Sequence, residues 1–231
     1  MAVSISERSG TLWLTLFSPP VNAITLDLVQ DLAQIVEGTQ AEHPIVLTGK
    51  GKSFSAGVDT RAFESYSSDQ RRELVLGITR MVKALVCHPA PVIAAVNGHA
   101  IGGGLVLALT ADYRISCAAD AKFGLPEAKA GIPFPAGAAE VIRHELPGHL
   151  LRNLSLTSRV TTQDELHAER VFDHVCKPDE LPVVTAQALR TFKAAPAFTT
   201  VKQQARGELQ ARLRALVSAG DDPFMSAFGV A

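Results

Sequence analysis

Residues 91–109 read Pro91-Val-Ile-Ala-Ala-Val-Asn-Gly-His-Ala-Ile-Gly-Gly-Gly-Leu-Val-Leu-Ala-Leu109, and the fold turns on this stretch. After Pro91, the apolar, β-branched run Val92 to Val96 predicts a buried strand. Asn97-Gly98 turns the chain. Gly102, Gly103 and Gly104 then lead into Leu105 to Leu109, a run with no polar face that predicts the first turns of a buried helix. Glycines at the mouth of a helix let a ligand lie directly on backbone N–H groups, where the helix dipole favours negative charge.

Two nucleotide-binding readings fail on spacing. A G-x-G-x-x-G fingerprint counted from Gly102 and Gly104 needs a third glycine where Leu107 stands. Gly51-Lys52-Ser53 has the tail of a phosphate loop, but the glycine required five positions earlier is Val46. Neither a dinucleotide nor a nucleoside triphosphate is the expected ligand.

Composition narrows the class further. Of 231 residues 47% are hydrophobic, and the formal net charge is −1. A globular protein with one large core is expected, and a dedicated nucleic-acid binder is not. No apolar run approaches the ~20 residues of a membrane span, and residues 1–10 lack a signal-peptide core. Cys87, Cys117 and Cys176 are few and form no C-x-x-C pair. That usage predicts a reduced, cytoplasmic protein with no metal site and no membrane partner.

Outward from the central stretch, Leu12, Leu14 and Leu16 alternate as in a strand. Thr25 is placed to cap a helix from about Leu26 to Val36. Ile45 to Thr48 predicts a second buried strand, followed by the glycine- and serine-rich loop 49–57. Residues 59–69 read as loop with fragmentary helix, and Gln70 to Val86 has a helical period. Tyr113 to Ser116 and Val171 to Val175 read as strands. Ala136 to Glu145, Leu150 to Leu156 and Thr162 to Ala168 read as short helices, and Leu181-Pro182 opens another. Thr199 to Val217 predicts a final helix with the stripe Val201, Ala205, Leu209, Leu213 and Leu216. The order is that of an α/β core carrying an α-helical tail.

Four stretches together resemble the crotonase superfamily, the enoyl-CoA hydratase/isomerase family. They are Val21-Asn22-Ala23, Phe54 to Asp59, Pro91 to Gly104 and Ala121 to Glu127. The resemblance implies an α/β fold, a crotonase-like spiral of ββα turns over residues 1–190. It also implies a C-terminal α-helical trimerisation region over residues 191–231, so a homotrimer or dimer of trimers is expected. An acyl-CoA thioester is the implied substrate. Coenzyme A is then part of the substrate, and no separate cofactor is implied.

The family chemistry gives both glycine turns a purpose. A thioester that loses an α-proton places negative charge on its carbonyl oxygen, and two backbone N–H groups aimed there stabilise it. The positions matching those donors are Val58 and Gly103. Ala23 and Ala56 match the backbone contacts to the CoA adenine end. Arg61 stands where the family often places a cation near the CoA phosphates, with Lys50 and Lys52 flanking the same loop.

The departures matter as much. Family hydratases carry two glutamates; here the first position is Val106 and only the second, Glu127, is present. Adding water across a double bond suits paired carboxylates, whereas moving a double bond needs one base that takes a proton and returns it. An apolar Val106, with Phe123 and Leu125 near Glu127, is expected to raise the Glu127 pKa. An isomerase-type proton shuttle is therefore the favoured reading. A hydratase, thioester hydrolysis, decarboxylation and a non-catalytic acyl-CoA-binding protein remain as alternatives. Glu140 reads as a helix-surface carboxylate, with replacement acid as a second possibility, and His99 as a packed or hydrogen-bonded side chain. Phe134, between Pro133 and Pro135, is placed to fill space. The tail ending at Phe228-Gly-Val-Ala231 lacks the basic and aromatic segment that closes over CoA in the family.

Overall fold

The computed structural model describes residues 1–230; Ala231 lies outside the described residues. In chain order its elements are β1 (Val3–Glu7), β2 (Leu12–Leu16), α1 (Leu26–Gly38), β3 (Ile45–Gly49), β4 (Ser53–Ser55), α2 (Thr60–Ser65) and α3 (Ser68–Cys87). The central stretch gives β5 (Val92–Val96), β6 (His99–Ile101) and α4 (Gly103–Leu109). Then come β7 (Tyr113–Ser116), β8 (Phe123–Gly124), α5 (Glu127–Ala130), α6 (Ala136–Glu145) and α7 (Gly148–Leu151), which runs into a π-turn at Arg152–Leu156. The chain finishes with β9 (Val160–Thr161), α8 (Gln163–Ala168), β10 (His174–Val175), α9 (Leu181–Lys193), α10 (Phe198–Ala219) and a 3-10 turn, Met225–Phe228.

Two sheets organise these elements. The larger has the order β1-β2-β3-β5-β7-β10, antiparallel at β1–β2 and parallel from β2 onward. The smaller has the order β4-β6-β8-β9, with β4, β6 and β8 parallel. The chain alternates between them: β3 then β4, β5 then β6, β7 then β8, with a helix after each pair. This is the spiral of ββα turns.

The period of two along the large-sheet strands sorts side chains onto its two faces. Ile45, Leu47, Val92, Ala94 and Val96 enter the main core with α1, α3 and α4. Val46, Ile93, Ala95 and Ile115 face the other way and are covered by Leu189 and Phe192 of α9. The long helix α3 begins at a capping box. Gln70 N–H donates to Ser67 Oγ at 3.2 Å, and Ser67 N–H donates to Gln70 Oε1 at 2.9 Å. Its apolar face, Leu74, Ile78, Met81, Val82 and Leu85, is buried.

Three expectations need correction. Only His174–Val175 of the predicted strand 171–175 pairs; Val171 and Phe172 are buried in the main core instead. The predicted helix 150–156 is a short α-turn continued by the π-turn. The buried stripe of α10 is Lys202, Arg206, Leu209, Gln210 and Leu213, while Val201 is exposed. Lys202 Nζ reaches Asp112 Oδ2 at 2.6 Å, and Arg206 bridges Asp112 Oδ1 at 3.0 Å and Glu145 Oε1 at 2.6 Å. Carboxylates beneath the helix, not its own apolar residues, set which face turns inward over its first half.

Candidate active site

The small sheet builds the site. Its parallel strands β4, β6 and β8 lie side by side and end at Ser55, Ile101 and Gly124. Within three residues of those ends come Val58, Gly103 and Glu127. Ligand sites gather outside the carboxyl ends of parallel strands because loops and helix starts converge there. The neighbouring loops are stitched together. Gly102 N–H donates to Gly124 O at 2.8 Å, Ile24 N–H to Gly57 O at 2.8 Å, and Ala56 N–H to Val21 O at 3.1 Å. Asn22, with φ +53°, is buried and donates from Nδ2 to Lys50 O and Ser53 O. The Val21-Asn22-Ala23 segment is thus fastened to the first glycine loop.

A cavity of about 110 Å³ opens at this junction. Val58, Gly102, Gly103, Val106 and Glu127 line it on the strand-end side. Leu74, Ile78, Met81 and Val82 of α3 form the opposite wall, and Phe63, Ile132, Phe134 and Phe228 are among the side chains that close the remainder. Among the described residues that line it, Glu127 carries the one ionisable side chain. The contributions of α3 and Phe228 were not read from the sequence. Their signal there is only helical periodicity and a lone aromatic near the tail, neither of which points to a cavity.

The amides of Val58 and Gly103 lie at the same wall. A Cβ built on Gly103 would stand 3.9 Å from Val58 N, and one built on Gly57 would stand 3.1 Å from Gly103 N and 2.6 Å from Ile101 O. Gly57 also has φ +81°, so both its conformation and its surroundings demand glycine. Among the described residues neither Val58 N–H nor Gly103 N–H donates to another group. Two free N–H donors at an apolar cavity can hold an oxyanion, and Gly103 adds the first turn of α4.

Glu127 is the first residue of α5. Its Oε2 is buried with no hydrogen-bond partner among the described residues. Burial pushes its pKa from the ordinary carboxylate value of 4.5 up to about 7, against a smaller lowering from its own backbone N–H. A carboxyl poised there can accept and return a proton near neutral pH. Val106, 1% exposed, presents only methyl groups to the same space.

The other candidate residues divide between the rim and elsewhere. Ala56 lines the cavity, and Ala23 is half-buried beside it in the stitched segment. Arg61 is exposed on α2, next to the cavity-lining Thr60, and pairs with no carboxylate among the described residues. Lys50 lies over the Phe17 ring at 4.0 Å, and Lys52 is exposed. Glu140 does not reach the cavity; it pairs with Arg143 and Arg212 on the outer side of α6. His99 Nδ1 accepts from Lys122 N–H at 3.0 Å. Among the described residues no cluster of three His, Cys, Asp or Glu side chains is arranged for a metal ion, and no helix is long and apolar enough to cross a membrane.

Strand-strand-helix turns that bring two free amides and a buried carboxyl to one apolar cavity define a crotonase-type fold. The enoyl-CoA hydratase/isomerase family model matches residues 6–229, and the chain belongs to that family. It is 37% identical over 166 residues to crotonyl-CoA hydratase of Syntrophomonas wolfei, covering 70% of this chain and 62% of that protein. It is 34% identical over 201 residues to the enoyl-CoA hydratase ACTT6 of Alternaria alternata, covering 84% of this chain and 66% of that protein. The matched stretches thus span less than two thirds of either relative. The crystal structure of enoyl-CoA hydratase from Bacillus halodurans superimposes with a TM-score of 0.87 at 23% identity, covering 99% of this chain and 95% of that one, and shows the shared fold.

Proposed function

We propose that this protein moves a carbon–carbon double bond within an acyl-CoA thioester, with Glu127 as the one acid–base group. The observation that carries the reading is the single ionisable side chain, Glu127, in a cavity whose wall also presents two free amides. The Glu127 carboxylate removes a proton from C2 of a 3-enoyl thioester. The electron pair passes through the thioester carbonyl, whose oxygen takes the charge and is held by the N–H groups of Val58 and Gly103. The carboxylic acid of Glu127 then gives the proton to C4, leaving the double bond between C2 and C3. Each donor contributes about 3–4 kcal/mol by comparison with other oxyanion sites.

Ala23 and Ala56 would receive the CoA end through backbone groups, and Arg61, exposed beside the cavity-lining Thr60 and without a carboxylate partner among the described residues, would meet its phosphates. The base and both donors belong to the chain, so this chemistry calls on no further cofactor. The relatives named as hydratases support addition of water as the second reading. Against it stands Val106, which offers a water molecule neither a proton nor an acceptor. A homotrimer or dimer of trimers fits the family; light scattering at micromolar concentration checks it, a monomeric mass counting against it.

The deciding experiment offers 2-enoyl-, 3-enoyl- and 3-hydroxyacyl-CoA substrates to the native protein and to Glu127→Gln, with product analysis. Double-bond migration by the native protein, lost in the variant, is expected. Migration at full rate in Glu127→Gln would overturn the assignment, and water addition faster than migration would favour the second reading.

A further inference from the structure

Resting on that reading, we propose that the pocket selects short acyl chains of about four carbons, and that Phe134 and Phe228 set the limit. The volume comes first. A closed apolar cavity of about 150 Å³ holds one benzene ring, six carbons. The cavity here is about 110 Å³, which on the same scale holds about four.

The walls decide whether that volume is fixed. On the α3 side Leu74, Met81 and Val82 are at most 1% exposed and belong to the main core, as does Ala138 of α6. Moving them means repacking the centre of the molecule. Val106 and Ile24 close the strand-end side in the same way. Of the lining outside that core, the bulky side chains are Phe63 and Ile132, both only partly buried, Phe134, in the loop between Pro133 and Pro135, and Phe228, in the C-terminal 3-10 turn; the limit is assigned to the two phenylalanines of the loop and the turn.

Phe228 is 4% exposed and packs in a cluster with Val75, Met225 and Val230, against Phe63 and Ile132. The turn that carries it is tied down. Asp222 Oδ2 accepts from Ala136 N–H at 2.7 Å, at the start of α6, and Oδ1 accepts from Phe224 N–H at 2.9 Å. Arg72 donates to Gly220 O at 2.9 Å and pairs with Asp221 at 3.2 Å. The same Asp222 that caps α6 therefore also fixes the loop end beside Phe134. An acyl chain filling this end of the cavity would meet Phe228, carried by the fastened turn, and the partly buried Phe134.

The test is a series of 4-, 6-, 8- and 10-carbon enoyl-CoA substrates with the native protein, Phe134→Ala, Phe228→Ala and the milder Phe228→Leu. Binding of the matching saturated acyl-CoA thioesters to Glu127→Gln is read by calorimetry. Once the pocket is full, chain that must be forced into it costs roughly tenfold or more in kcat/KM. The native protein is expected to lose at least about tenfold between 4 and 8 carbons. The Phe→Ala variants are expected to raise the 8-to-4-carbon ratio by about tenfold or more. A native profile flat or rising through 8 carbons, in turnover and in binding, would overturn the proposal. An unchanged ratio in folded variants at both phenylalanines would also overturn it. An active Glu127→Gln sinks the proton-shuttle reading instead and leaves the chain-length result standing.

Discussion

Glu127 Oε1 occupies the space into which a side chain on Gly102 would grow: a Cβ built there would stand 2.7 Å from it. Gly102 also has φ +56°, a conformation that costs an L-residue free energy. The residue just after β6 thus lacks the side chain that would fill the space taken by the carboxyl following β8. Gly102→Ala is expected to displace Glu127 and strain the start of α4 together. Turnover should fall by about 10²-fold, since a small misplacement of a reacting group costs that much. A variant with native kcat and a native melting temperature would show that this contact has no role.

The raised pKa of Glu127 has one sign for activity and the opposite sign for stability. A base must be ionised, so kcat/KM should rise with pH and level off above about 7. In the folded protein the proton is held more tightly than at the unfolded value of 4.5. Folding therefore suffers no loss from this group below about pH 4.5. Stability declines as pH rises from there to about 7 and is level beyond. At about 1.4 kcal/mol per pH unit the loss reaches about 3–4 kcal/mol. Glu127→Gln should lose the pH limb and about 10²-fold or more in rate. The same variant should be the more stable protein at pH 8, by up to about 3–4 kcal/mol. Denaturant titrations of both proteins at pH 5 and pH 8 check the sign; equal stability differences at the two values would contradict it.

Val106→Glu puts a second carboxyl into the cavity that already holds Glu127. Water addition to 2-enoyl-CoA should rise, because one group can then activate water while the other delivers a proton. A buried carboxyl in an apolar wall should cost about 2–3 kcal/mol, read as a melting temperature lower by about 2–4 °C per kcal/mol. No gain in hydration from a folded variant would mean that Val106 does not separate the two reactions.

Asp112 is the hinge of the buried ion network under α10. It accepts from Lys202, Arg206 and the Val92 N–H. Burial lowers the Lys202 pKa and Asp112 opposes that effect. Asp112→Ala leaves Lys202 without its carboxylate and Arg206 with only Glu145, and should destabilise by about 3–5 kcal/mol. Lys202→Met keeps the Arg206 pair and should cost clearly less. Chemical denaturation separates the two, and equal losses would mean that packing rather than charge holds the helix.

Much of this was written in local sequence. Tyr113–Ser116 and Ala136–Glu145 have the boundaries their periodicity predicts, and Thr25 caps α1 with its side chain as its type and position predict. The glycine turns are properties of residue type and spacing, and the lone Glu127 and the apolar Val106 followed from the resemblance to the enoyl-CoA hydratase/isomerase family, so all could be read before any contact was known. Strands of two and three residues, β4, β6 and β8, carry no period, and only their pairing with one another reveals them. Yet that pairing is what gathers Val58, Gly103 and Glu127. The inward face of α10 follows its apolar pattern at Leu209 and Leu213 but departs from it at Lys202 and Arg206, because Asp112 and Glu145, far off in sequence, lie beneath its first half. The closing of the cavity by Phe228 likewise depended on Asp222 reaching Ala136. Periodicity is a local record of burial. Which groups meet across the core is decided by long-range packing, and a buried charge or a shared cavity exists only once its distant partner has arrived.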